Sequence, residues 1–423
     1  MRPEQFLTRS LQDRRIARIL QASIEAVDPA LLVARQLRDV VLPTHSRRFL
    51  LGLGKAAEAM TGSAAEILGS FDGGLIITKH RSTEADPRMT VLEAGHPIPD
   101  HRSLAAGREA IRFVSGLQED DLLLCLISGG GSALVTSPIA GISLQDLQAL
   151  TSAALASGAE IQDINVLRRQ LDQLKGGGLA AATKASVVSL ILSDVIGDRL
   201  EAIASGPTAP NPTGSQEALG VLRKYRIRVP ATIRTALESP KPSAATPVPG
   251  RVRNVIIGNG ALALSGAVRQ ADREGFAALV LETRLQGEAQ VVGRAMAVKL
   301  VQASRGRKRP FCMLASGETT VTLTGQGVGG RNQELVLAAV DILDGVENCA
   351  LISLATDGND GPTDAAGALA TGASKSRAAS CGMTASDHLA RHAAYPFFDA
   401  LGDLLKPGYT GTNVNDLILL VGL

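Results

Sequence analysis

The chain alternates from end to end between short runs of Val, Ile and Leu and helical patterns, with glycines at the joins. RRFLLGLGKAAEAM (47–60) is the first such unit; GGLIITKH (73–80), DDLLLCLISGGGSAL (120–134) and ASVVSLILSDVIGD (185–198) follow. Short apolar runs without a polar alternate suit strands buried on both faces, as in a parallel sheet covered by helices. LAAGREAIRFVSGL (104–117) and LQDLQALTSAALASGA (144–159) supply helices between them. Alternation of this kind predicts a doubly wound α/β domain.

At 423 residues the chain exceeds one ordinary core, which predicts two domains. The texture changes at VPATIRTALESPKPSAATPVPG (229–250), whose five prolines suggest a linker or long surface connection. The strand–glycine–helix pattern then resumes with RNVIIGNGALALSGAVRQA (253–271). An extended pair, FCMLASGETTVTLTG (311–325), precedes a helix in GGRNQELVLAAVDIL (329–343), and CALISLATDGND (349–360) and NDLILLVG (415–422) close the strands. The long 311–325 run is antiparallel in style, so the second domain is expected to be α/β with a mixed sheet. The expected boundary is 1–246 against 247–423.

Charge excludes one class of partner. The balance is 43 basic against 41 acidic side chains, and aromatics are 3%, so no basic, aromatic-studded surface for nucleic acid is expected. MRPEQFLTRSLQDRRIARIL reads as a charged amphipathic helix without a signal-peptide core. The longest apolar runs fall short of a membrane span. Cys125, Cys312, Cys349 and Cys381 are scattered without a CxxC pair, the pattern of buried free thiols in a reducing cytoplasm.

Glycine turns recur at 52–54, 129–131, 258–260, 325–330 and 358–361, at the ends where open α/β sheets bind ligands. In CLISGGGSALVTSP (125–138) a strand stops at Ser128, and Ser128, Gly129, Gly130, Gly131 and Ser132 can turn backbone N–H groups onto one anion. A tight turn needing positive φ explains the same glycines equally well. GLGKAA (52–57) fits a dinucleotide fingerprint, yet the next strand ends in Thr78-Lys79-His80-Arg81 without the acid that binds a ribose. Lys55 stands inside that loop, where an ammonium would clamp phosphate or carboxylate.

Asp194 and Asp198 in SDVIGD suit Mg²⁺ coordination or general-base work, with Asx-turn and capping duty as the plainer explanation. TDGNDGPTDAAG (356–367) places Asp357, Asp360 and Asp364 in a second acidic turn, open to a phosphate, nucleotide or Mg²⁺ role or to turn chemistry alone. In GVGGRNQE (327–334), Gly329 and Gly330 precede Arg331 at a helix start, so a guanidinium and backbone donors are expected to share one anion site. With Gly258 and Asn259, these glycines and Asp357 and Asp360 form the candidate nucleotide set. Asn165, Arg168, Asp172 and Lys175 fall on one helix face, turned to a cleft or, the reading the spacing favours, solvated and laced with ion pairs. His96, in GHPIPD, is the one histidine in a motif-like setting.

Two cations in glycine loops, anion-binding turns and acidic strand ends together describe phosphoryl transfer. Neither a Walker loop nor the protein-kinase motif set is present, so a kinase of this kind belongs to a separate lineage. An NAD(P)H-dependent hydroxypyruvate reductase and a non-catalytic sensor of small acids are the alternatives.

The sequence resembles the class II glycerate kinases, the glycerate 2-kinase family whose second half is the MOFRL domain. The motifs that carry this are GLGKAAEAM, EAGHPIPD, LISGGGSAL, SDVIGD, IASGPTAPNPT, GEAQVV, SGETTVTLTGQGVGGRNQELVLA, TDGNDGPTDAAGA and TGTNVNDL, in this order over nearly the whole chain. The resemblance implies a Rossmann-like N-terminal domain, a smaller α/β C-terminal domain, and an active site in the cleft between them. It implies transfer of the γ-phosphoryl of ATP to the 2-hydroxyl of D-glycerate with Mg²⁺, by a monomer or homodimer. Lys55 and Arg331 match the family's catalytic lysine and arginine, and Asp194 its candidate base or metal ligand, with Asp198 beside it. Substrate and phosphate would lie by Ser128–Ser132, His96 and Arg168. The chain departs from the family at Gln170, where a histidine is common, at Asp172, where a serine is, and at Ser316, where a glycine is. These changes bear on the choice of hydroxy acid.

Overall fold

The computed structural model describes residues 1–39, 42, 47–81, 86–239 and 250–423. The chain forms two compact units: Pro29–Ile257, and Met1–Asp28 together with Gly258–Leu423.

The Pro29–Ile257 unit is built on β1 (Arg47–Leu53), β2 (Gly73–Thr78), β3 (Met89–Glu93), β4 (Asp121–Ile127), β5 (Ser186–Leu192) and β6 (Val252–Gly258). Their order is β3-β2-β1-β4-β5-β6, and β3, β2, β1, β4 and β5 pair in parallel. All seven residues of β4 are buried, as a central strand covered on both faces requires. Helices Ala57–Leu68 and His101–Ser115 flank the sheet; Asp100 caps the second, accepting from the N–H groups of Arg102 and Ser103.

A separate helical core stands beside this sheet. Ile164, Leu167 and Leu171 from helix Ile161–Leu171 pack with Leu219 and Leu222 from Ser215–Lys224 and with Ile233 and Leu237 from Ala231–Glu238. The last of these lies inside the stretch expected to be a linker. Residues 231–238 are therefore a packed helix, because Ile233 and Leu237 fall one turn apart on one face. Residues 240–249 of that stretch lie outside the described residues.

The second unit holds β7 (Ala277–Glu288), β8 (Phe311–Thr320), β9 (Cys349–Ala355), β10 (Gly367–Thr371), β11 (Leu404–Leu405) and β12 (Asp416–Gly422). The order is β11-β10-β9-β12-β8-β7; β8 runs parallel to β7 and antiparallel to β12, which makes the sheet mixed. The 311–325 run is one strand rather than a pair, ending at Thr320.

The partition differs from a 246/247 boundary at both ends. β6 completes the first sheet, so the division falls after it begins. Helix Arg14–Glu25 belongs with the second unit: Ile16, Leu20 and Ile24 are buried, and Arg18 pairs with Glu274 at 2.6 Å. Gly266 permits the approach, since a Cβ there would lie 2.5 Å from that of Ala26. Cys125, Cys312 and Cys349 are buried and Cys381 exposed; burial pushes the Cys125 and Cys312 thiols up to about 12. Among the described residues no helix is long and apolar enough to cross a membrane.

Candidate active site

Strand order reverses at β1 and β4, the place where open parallel sheets leave a crevice at the carboxyl ends of their strands. The loops after these two strands are bonded to each other. Ser128 N–H donates to Leu53 O at 2.9 Å, Lys55 N–H to Gly129 O at 2.9 Å, and Ala56 N–H to Ser128 Oγ at 3.0 Å. Gly54, at φ +121°, makes this approach possible, because a Cβ would lie 2.4 Å from both Ser128 O and Oγ. Lys55 is thus held in the loop through its backbone N–H.

Gly130, at φ +86°, is the meeting point. A Cβ there would stand 3.2 Å from the His96 ring, beyond β3, and 3.3 Å from Lys55 Cγ. The positive φ of Gly130 accounts for one glycine of the triple as a left-handed turn. Among the described residues, the N–H groups of Gly129, Gly130, Gly131 and Ser132 take no protein acceptor. Asp194 and Asp198 follow β5, the neighbour of β4, at the same carboxyl edge; Asp194 is half-buried and Asp198 adopts φ +55° in its turn. Among the described residues no group of three or more His, Cys, Asp or Glu side chains is set to hold a metal ion.

Behind this loop lies a polar chain that the sequence reading did not assemble. Ser132 and Ser205 share a short hydroxyl hydrogen bond, and Ser205 Oγ donates to Asn165 Oδ1 at 3.3 Å, so the Ser132 hydroxyl is the donor to Ser205. Ala204, Ser205 and Gly206 all take positive φ, at 50°, 60° and 65°. Consecutive non-glycine residues in that region are strained, a feature concentrated at ligand sites. IASGPTAPNPT carried a signal in Gly206, which directly follows Ser205.

The helix face expected to be solvated is not. Asn165, Asp172 and Lys175 are 7%, 5% and 7% exposed. The helix stops at Leu171, and Asp172 turns inward to accept from Ser137 N–H at 3.0 Å and from Lys175 Nζ at 2.6 Å. Lys175 also donates to Val135 O at 3.1 Å, and burial pulls its ammonium below the ordinary value. Burial likewise lowers Arg168, against the pull of Asp172. Asp172 therefore secures the 135–138 segment. Asp172→Ala would strand a buried ammonium and is expected to cost about 3–5 kcal/mol of unfolding free energy. Urea denaturation measures this, and a loss below about 1 kcal/mol would mean Lys175 finds other partners. Gln170 donates to Thr213 O at 2.7 Å and Ser316, buried in β8, to Thr283 O at 3.3 Å; each has a packing duty.

In the second unit, Arg331 opens the helix Arg331–Leu337 at the end of the sheet where β8 and β9 finish and β12 begins. Its Nε and Nη2 donate to the Asp416 carboxylate at 2.6 and 2.9 Å, and Nη1 lies 3.0 Å from Glu318 Oε1. These carboxylates hold the guanidinium charged, well above its ordinary value despite burial. Asp416, in TGTNVNDL, is a partner the sequence reading passed over, although an acid opening a strand beside a glycine–arginine loop could have flagged it.

Two of the backbone donors at this helix start are already engaged. Asn332 and Gln333 N–H donate to the Asp360 carboxylate at 3.2 and 2.9 Å. Gly330 exists for this contact, since a Cβ would stand 2.2 Å from Asp360 Cγ. Burial, then Asp416, push Asp360 up to about 7, against those two hydrogen bonds and the charge of Arg331. Asp360 is a helix cap. Asn259 is another, accepting from Leu262 N–H at 3.0 Å just after Gly258 closes β6. Asp357 accepts from Asn359 N–H at 3.0 Å in an Asx turn, and a Cβ on Gly329 would stand 3.2 Å from the Ala394 methyl. Of the candidate nucleotide set, Asn259, Asp357 and Asp360 thus have turn or cap duties.

Two family models match the chain: a domain of unknown function, DUF4147, over residues 15–238, and the MOFRL family over residues 311–416. D-glycerate 2-kinase of Thermotoga maritima is 40% identical over 95% of this chain and 96% of its own. Glycerate 2-kinase of Pyrococcus horikoshii is 37% identical, over 96% of each chain. The crystal structure of the Thermotoga maritima glycerate kinase superposes with a TM-score of 0.88 at 39% identity, covering 96% of this chain and 98% of that one. The joined β1 and β4 loops and the Arg331–Asp416 pair are thus parts of a chain that belongs to the glycerate 2-kinase family with a MOFRL domain.

Proposed function

We propose that the protein transfers the γ-phosphoryl of ATP to the 2-hydroxyl of D-glycerate, giving 2-phosphoglycerate and ADP. The observation that carries this is the bonding of the Lys55 loop to Gly129 and Ser128 at the β1/β4 crossover, with His96 against Gly130. An ammonium and four backbone N–H groups there form a receptor for the carboxylate of a small acid or the oxygens of a phosphoryl group.

In the transfer the substrate hydroxyl oxygen forms a bond to the γ-phosphorus, the bond to the β-bridging oxygen breaks, and Asp194 receives the hydroxyl proton. Lys55 and Arg331 neutralise the oxygens of the moving group. Asp194 and Asp198 would hold a phosphate-borne Mg²⁺, whose charge would offset that of the phosphate. His96 and Arg168 serve the acid substrate. A cytoplasmic monomer or homodimer, with its thiols reduced, is the setting we assign.

The test is ADP release from ATP, Mg²⁺ and D-glycerate, with the product resolved as 2- or 3-phosphoglycerate. We expect 2-phosphoglycerate. NADH oxidation with hydroxypyruvate in place of ADP release would replace this reading with the reductase.

A further inference from the structure

Residues 321–330 carry neither helix nor strand and lead directly into Arg331. Their glycines let the segment lie flat on the turn 391–394. A Cβ on Gly325 would sit 2.8 Å from Arg391 O, and one on Gly327 2.3 Å from it. Gly327 N–H donates to that same oxygen at 2.8 Å, and Tyr395 N–H donates to Val328 O at 3.0 Å.

His392 is the polar centre of this contact, 6% exposed and at φ +54°. Thr324 N–H, which can only donate, lies 3.1 Å from its Nε2. Nε2 is therefore the bare nitrogen, and Nδ1 carries the proton and donates to Glu334 Oε1 at 2.8 Å. Glu334 is itself buried and accepts from Gln290 Nε2 at 2.7 Å. It stands one turn along the helix that Arg331 opens. One neutral imidazole thus ties the start of the 321–330 segment to the helix at its end.

We infer that His392 is a positioning residue: by joining Thr324 to Glu334 it fixes the segment that delivers the Arg331 guanidinium. The catalytic half of this inference rests on Arg331 acting on the transferred phosphoryl group; the tether does not.

Two variants of the full chain separate the parts. His392→Asn tolerates the positive φ and keeps a donor toward Glu334 but stops short of Thr324. His392→Gln places an amide oxygen near Thr324 and an amide N–H near Glu334. Amide hydrogen exchange and steady-state kinetics are measured on both beside the parent, with thermal melting to confirm folding. For His392→Asn we expect faster exchange confined to 321–330 and a kcat lower by about tenfold, the worth of one buried hydrogen bond, at little-changed KM for D-glycerate. His392→Gln should recover most of both. Unchanged exchange in folded His392→Asn overturns the tether, and faster exchange at parental kcat overturns the positioning role. A parent chain that releases no ADP would refute the kinase reading, while the exchange comparison would still decide the tether.

Discussion

Lys55→Ala should lower kcat for ADP release by about 10²–10³-fold, the effect of deleting one preorganised charge-stabilising donor. The fold should survive, and the structure says why. The Lys55 backbone N–H is bonded to Gly129 O at 2.9 Å, and an alanine keeps that bond. The flanking contacts, Ala56 N–H to Ser128 Oγ and Ser128 N–H to Leu53 O, do not involve the side chain either. Far-UV circular dichroism should therefore still show the parent fold while turnover collapses. Lys55→Arg should not restore it, because a planar fork cannot occupy the place of a compact ammonium in a loop this close to Gly130. Near-parental turnover in a folded Lys55→Ala protein would remove Lys55 from the mechanism.

The sheet that holds this lysine was legible in the sequence for a simple reason. In β4 every residue is buried, so the hydrophobic run and the strand coincide. Where one side chain could satisfy two environments, pattern alone did not decide. Ile16, Leu20 and Ile24 say that the first helix packs on something, and only Gly266, far along the chain, shows on what. Ile233 and Leu237 were one turn apart, yet the prolines around them read as a linker. Asp172 and Lys175 have the spacing of a solvated pair and are buried because the 135–138 segment closes over them.

The candidate site divides the same way. Lys55, Ser128 and Gly130 announce themselves through local geometry, since a glycine turn at a strand end is a short-range feature. Asp360 on the Asn332 and Gln333 N–H groups, and Asp416 on Arg331, are contacts across 27 to 85 residues that strand register creates. A sequence shows the glycine before Arg331 but not the carboxylate that the glycine makes room for.

That carboxylate cluster makes Arg331 the second position of large effect, and here loss of activity and loss of stability should be separable. Arg331→Lys keeps a cation but not the fork that grips Asp416 through Nε and Nη2. Its kcat should fall by about 10³-fold, as when an arginine is withdrawn from a transferring phosphoryl group. Arg331→Met goes further and leaves Asp416, 3% exposed, buried without its partner, at a cost of about 3–5 kcal/mol in stability. The sign of the pH dependence follows from the charges. Burial and Asp416 push Asp360 up to about 7 even with the Arg331 charge pulling it down. Without the guanidinium Asp360 takes up a proton more readily in the folded state, and its protonation relieves the unpaired charge around residue 331. The stability deficit of Arg331→Met against the parent should therefore be largest near pH 8 and shrink toward pH 5.5. Urea denaturation of both proteins at the two pH values measures it. A deficit that stays constant would mean that the methionine is costly for its packing, and that the acids around residue 331 are held by their backbone hydrogen bonds alone.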